Sequence, residues 1–122
     1  MPTLIACLST GKGTWSDVTK VMMGQSWDKI FLISNEFGQE NFNPPANTEL
    51  ILINSLAEPS LLVEQIKKQL QGKIKDFEVG LNLVSGSGKE HMAVLEAVLE
   101  LGLNFRLITV NQGQVETLGL RR

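Results

Sequence analysis

Two glycines, two serines and a lysine meet in Ser85-Gly86-Ser87-Gly88-Lys89, within the longer run Val84 to Ala93. Before it, Glu78 to Leu83 alternates like a short strand; after it, Met92 to Leu101 is apolar at helical spacing. A small-residue turn between a strand end and a helix start aims free backbone N–H groups, and the positive end of the helix dipole, at whatever lies above it. A lysine in the first helical turn costs about 0.3–1 kcal/mol unless an anion reverses the sign. The stretch therefore reads as an anion or phosphate site.

A second such turn, Ser9-Thr10-Gly11-Lys12-Gly13-Thr14, follows the first apolar run. One loop offers Ser9, Thr10, Lys12 and Thr14, with Gly11 and Gly13 opening the backbone. The other offers Ser85, Ser87 and Lys89, with the amides around Gly86 and Gly88. Hydroxyls, amides and lysines converging in this way suit phosphate recognition without a metal. The competing structural role is that glycines serve tight turns and serines cap helices.

Two familiar phosphate motifs fail on named residues. The Walker pattern needs a glycine where Leu83 stands and a hydroxyl where Glu90 stands, so its magnesium ligand is missing. The dinucleotide fingerprint needs a third glycine where Ser16 follows the first turn and His91 the second. His91 is the only histidine and Cys7 the only cysteine, so neither a metal constellation nor a disulfide framework is visible. No cofactor is expected. His91 lies on the side of Leu95 and Val98, which suits a packed or capping ring better than a catalytic one, and it borders the candidate ligand site. Cys7, inside an apolar run, reads as a buried structural thiol.

The bulk properties set the frame. A chain of 122 residues is expected to form one domain spanning residues 1–122, large enough for a real core. Its net charge of −2, without a basic run longer than the Arg121-Arg122 pair, argues against gripping polymeric nucleic acid. The apolar N-terminal run stops at Ser9 and lacks a basic flank, so neither a signal peptide nor a membrane span is expected, and the protein is placed in the cytoplasm.

The elements that must position these turns follow from periodicity. Thr3–Leu8 and Lys29–Ser34 are continuous apolar runs of strand length, as for strands covered on both faces. Trp15, Val18, Val21 and Met22 mark a helix closed by Gly24. Residues 35–47 read as a polar loop without periodicity, and its role is left open. A third strand is expected over 49–54. Glu58-Pro59-Ser60 opens a helix with Leu62, Val63, Ile66 and Leu70 on its buried face. A strand over 104–110 and a hairpin partner over 115–118 close the chain. The order β-α-β-β-α-β-α-β-β predicts an α/β fold: a Rossmann-like three-layer α/β/α sandwich with a mostly parallel sheet and a C-terminal β-hairpin. Both lysine turns should then lie at the carboxyl edge of the sheet, where ligands bind in such folds.

The segment Gly80 to Lys89, followed by a helix with Met92, resembles the signature of CARF domains, the CRISPR-associated Rossmann fold. In that family a strand ending near an Asn leads to a Gly/Thr-rich turn, a lysine and a helix, and a Gly/Ser/Thr loop follows the first strand. Here Gly88 stands where Thr commonly precedes the lysine, Met92 falls three places after Lys89 rather than two, and Asn82 sits one place further away.

The resemblance implies a homodimer whose two Lys89 turns meet near a two-fold axis and form one pocket for a cyclic oligoadenylate or another small nucleotide. A small stand-alone member would be a metal-independent ring nuclease or a binding module. In the first case the ribose 2′-OH attacks the adjacent phosphate, Lys89 stabilises the developing charge, and Ser9 or Thr10 orients the phosphate or hydroxyl. The absence of an obvious general base predicts slow turnover. The alternative is a non-catalytic structural or interaction subunit with a degenerate pocket.

Overall fold

The computed structural model describes residues 2–9 and 12–119, with only the backbone at Lys12. Among these residues six strands form one sheet: β1 (Thr3–Leu8), β2 (Lys29–Ser34), β3 (Thr48–Leu52), β4 (Glu78–Asn82), β5 (Asn104–Asn111) and β6 (Gln114–Thr117). Their order is β3-β2-β1-β4-β5-β6. All neighbours are parallel except the β5–β6 hairpin. The helices are α1 (Trp15–Met23), α2 (Glu36–Asn41), α3 (Pro59–Leu70) and α4 (Gly88–Glu100). The chain is thus a Rossmann-like three-layer α/β/α sandwich.

The apolar runs explain the layers. Every residue of β1 is buried, and the period-2 pleat deals its side chains to two cores. Leu4, Ala6 and Leu8 join Ile30, Leu32 and Trp27 beneath α1, whereas Ile5 and Cys7 join Phe31, Ile33, Val79 and Leu81 beneath α3 and α4. Gly80 is required in β4 because a Cβ there would lie 2.8 Å from the Trp27 ring. Helix α3 begins with Pro59 after Glu58 and ends at Leu70, with Gln71 as its C-cap and Gly72 next at φ +80°. Gly24 closes α1. No helix among the described residues is long and apolar enough to cross a membrane.

Two expectations need correction. The segment 35–47 is not wholly loop: Asn35 turns its side-chain oxygen onto the Gly38 N–H at 3.0 Å and caps α2. Six residues are too few to show a helical period, so the cap was the signal. Phe37 and Phe42 then pack edge-on against Trp15, at 5.9 and 5.8 Å between ring centroids. The third strand also stops at Leu52 rather than Asn54. Gln69 bonds both the N–H and the carbonyl of Leu52, and Gln65 takes the Asn54 N–H. Glutamine side chains from α3 thereby satisfy the open edge of β3 in place of another strand.

Candidate functional site

The strand order reverses between β1 and β4, because β1 is followed in sequence by β2 on one side and joined by β4 on the other. In open parallel sheets this switch point opens a crevice above the carboxyl ends of the strands. Ala6 pairs with Asn82 across it, so Ser9 and the turn Ser85–Gly88 emerge side by side. A cavity of about 500 Å³ lies there, lined among the described residues by Ser9, Asn35, Ser55, Gly86, Ser87, Lys89 and Glu90.

Ser9 is fixed by three bonds. Its N–H donates to Ser85 Oγ at 3.3 Å, its carbonyl accepts the Trp15 indole N–H at 2.8 Å, and its hydroxyl donates to Glu90 Oε1 at 3.2 Å. Ser87 is the N-cap of α4: its Oγ accepts the Glu90 N–H at 3.2 Å, and its own N–H donates to Glu90 Oε1 at 2.8 Å. This reciprocal capping box places the Glu90 carboxylate over the start of α4. The anion expected at this helix start is therefore supplied by the chain itself.

Lys89 reaches the loop after β3, donating to the Ser55 carbonyl at 2.8 Å. The Ser55 hydroxyl donates to Glu90 Oε2 at 2.9 Å and accepts from Asn35 Nδ2 at 3.1 Å. Glu90 is 5% exposed and accepts from three donors, so it joins the turns after β1, β3 and β4. The backbone passes so close that a Cβ on Gly86, at φ +103°, would lie 2.8 Å from Glu90 Oε1. Only glycine fits both that conformation and that approach.

The remaining candidates lie around this core. Ser85 is buried behind the cavity wall, accepting from Ser9, and its carbonyl meets His91 Nε2 at 2.7 Å. Since the carbonyl can only accept, Nε2 carries the proton; His91 is spent on holding the turn. Gly88 begins α4, and Gly13 and Thr14 lie in a 3₁₀ turn that leads into α1; none of these lines the cavity. Thr10, Gly11 and the Lys12 side chain lie outside the described residues. Asn82 does not face the cavity chemistry either. It donates to the Ile108 carbonyl at 2.7 Å and accepts the Val84 N–H at 3.3 Å, which ends β4 and shapes the turn.

Sequence reasoning does not single out Glu90 or Ser55, and it leaves the role of the loop that holds Asn35 open. The signal for Glu90 was present in Ser87-x-x-Glu90, the capping-box pattern. Ser55 carries no motif, and only the sheet order brings it to Glu90 and to Asn35. Asn35 and Ser55 also line an adjoining cavity of about 670 Å³, which includes Glu36, Phe37, Glu40 and Leu56. Among the described residues the joint cleft holds one cation, Lys89, and three carboxylates, Glu36, Glu40 and Glu90.

Cys7 sits below the cleft. Burial pushes its thiol well above the usual range, and the Glu90 carboxylate adds to the effect. The thiol is therefore a packing group rather than a nucleophile. Among the described residues no three His, Cys, Asp or Glu side chains group as a metal site. No protein-family model matches the chain, and no curated protein matches it.

Proposed function

We propose that this protein is a CARF-like nucleotide-binding domain that recognises a cyclic oligoadenylate or a related small nucleotide in a pocket completed by a second copy of the chain. One observation carries the reading: Ser9, Ser87 and Lys89, from loops far apart in sequence, line a single cavity at the switch point of a parallel sheet. Lys89 bonds the Ser55 carbonyl with one of its three N–H groups, which leaves donors for a phosphate oxygen.

A ring nuclease would use the ribose 2′-OH as the attacking group, so the protein's task is to align it and stabilise charge. Lys89 would serve the phosphate. Ser9, whose own proton points at Glu90, would accept a hydrogen bond from the attacking hydroxyl. The polymer-binding and membrane classes stay outside the proposal, and the cytoplasm is the proposed compartment.

The test is incubation of purified protein with cyclic tetra- and hexa-adenylate, with and without EDTA, followed by separation of products. Cleavage insensitive to EDTA supports the nuclease; binding without cleavage supports a receptor. Neither binding nor cleavage at high protein concentration sinks the reading.

A second reading is favoured by the closed bonding of the site. Lys89 and Glu90 both hold Ser55, as they would in a structural or interaction subunit with a degenerate pocket. Lys89→Ala would then lower stability and leave every nucleotide affinity unchanged.

A further inference from the structure

We propose that Glu90 sets the ligand specificity of the switch-point cavity, by turning the Ser9 and Ser55 hydroxyls inward so that a ligand there meets hydrogen-bond acceptors. The cavity then favours a group that donates, such as a ribose hydroxyl or a base amine, and rejects a bare phosphate. The nature of the donor rests on the nucleotide reading above; the polarity itself does not.

A carboxylate can only accept, so the hydroxyls within 3.2 and 2.9 Å of Glu90 must spend their hydrogens on it. What Ser9 and Ser55 have left for the cavity is lone pairs. One hydrogen of the Asn35 amide already donates to Ser55 Oγ, and its oxygen already accepts the Gly38 N–H. The Ser87 N–H, an anion donor in an uncapped helix, is also held by Glu90. The wall formed by Ser9, Ser55 and Glu90 is thus negative and accepting, whereas Lys89 and the Ser87 hydroxyl, whose oxygen accepts the Glu90 N–H and whose hydrogen Glu90 does not hold, supply the donors. A nucleotide can satisfy both poles at once, with its phosphate at Lys89 and a hydroxyl or amine within. Free phosphate would set its oxygens against lone pairs and a buried charge.

Glu90→Gln reverses this polarity while keeping the shape. Its carbonyl oxygen still accepts the Ser87 N–H, so the capping box survives. Its NH₂ must donate to one serine, whose hydrogen then turns into the cavity. The experiment is isothermal titration of wild-type protein and Glu90→Gln with cyclic tetra-adenylate, its 2′-deoxy analogue and inorganic phosphate. Wild type should bind the ribose form at least about tenfold more tightly than the deoxy form, as for a buried acceptor left unpaired. Glu90→Gln should narrow that gap to within about threefold and bind phosphate at least about tenfold more tightly than wild type does.

Equal ribose and deoxy affinities in wild type, with no phosphate gain in Glu90→Gln, overturn the proposal and leave the nucleotide reading standing. A protein that binds no nucleotide, yet gains phosphate in Glu90→Gln, does the reverse. Ser55→Ala is the second variant, because it removes one acceptor and keeps the charge and the cap. It should lose most of the ribose preference without gaining phosphate; an unchanged preference counts against the assignment.

Discussion

The Ser55 hydroxyl donates to the Glu90 carboxylate at 2.9 Å. That bond ties the loop after β3 to the first turn of α4, and the neighbouring Lys89 holds the same loop through the Ser55 carbonyl. The turns above the sheet are therefore joined into one hydrogen-bonded unit that a ligand entering the cavity would meet.

Lys89→Ala should release the Ser55 carbonyl and loosen the loop over residues 53–58. The expected loss is about 1 kcal/mol in urea unfolding, typical of one hydrogen bond. Amide hydrogen exchange should speed up in that loop and not in β1 or β2. Unchanged loop exchange would show that Lys89 contributes nothing to holding it.

Gly86→Ala should destabilise the fold by about 1–3 kcal/mol, the range for a non-glycine residue forced into such a backbone region. The added methyl also pushes on Glu90 Oε1, so ligand binding should fall along with stability. A variant with wild-type stability would mean that the turn has another conformation available at no cost.

Cys7 gives the chain a defined alkaline limit. The folded protein holds the thiol proton well above the ordinary pKa, because the sulfur is buried and lies near Glu90. Below the ordinary thiol value near 8.5 both states keep the proton and stability is unaffected; above it only the unfolded chain releases it. Stability therefore falls as pH rises, by up to about 1.4 kcal/mol per pH unit from this group. Urea unfolding from pH 8 to 10 should show a steeper decline for wild type than for Cys7→Ala. Native Cys7 should also resist thiol reagents that modify it in urea; equal slopes or rapid native modification would contradict the burial argument.

The layers of this fold are legible in the sequence because strands such as Thr3–Leu8 are apolar on both faces and cannot be anything but buried. The two lysine turns are legible as strand-to-helix junctions for the same reason. Helix α2 is not, since six residues capped by Asn35 leave no period to read. Nor is the partner of Glu90: Ser55 is a plain loop serine whose role depends on β3 lying two strands from β1. The Ser9 hydroxyl and the Ser87 N–H are not free donors for a phosphate, because Glu90 Oε1 already accepts from both. The Ser87-x-x-Glu90 spacing names Glu90 as the acceptor of the Ser87 N–H, whereas only the sheet order brings the Ser9 hydroxyl to it.

The most direct measurement of the central claim is amide hydrogen exchange of the whole chain with and without saturating cyclic tetra-adenylate. The account predicts added protection at Ser9, over residues 53–58 and over residues 85–90, the segments that meet at the switch-point cavity. Protection confined to another surface, such as the apolar groove formed by Val63, Met92 and Leu99 between α3 and α4, or no change at any amide, would contradict it.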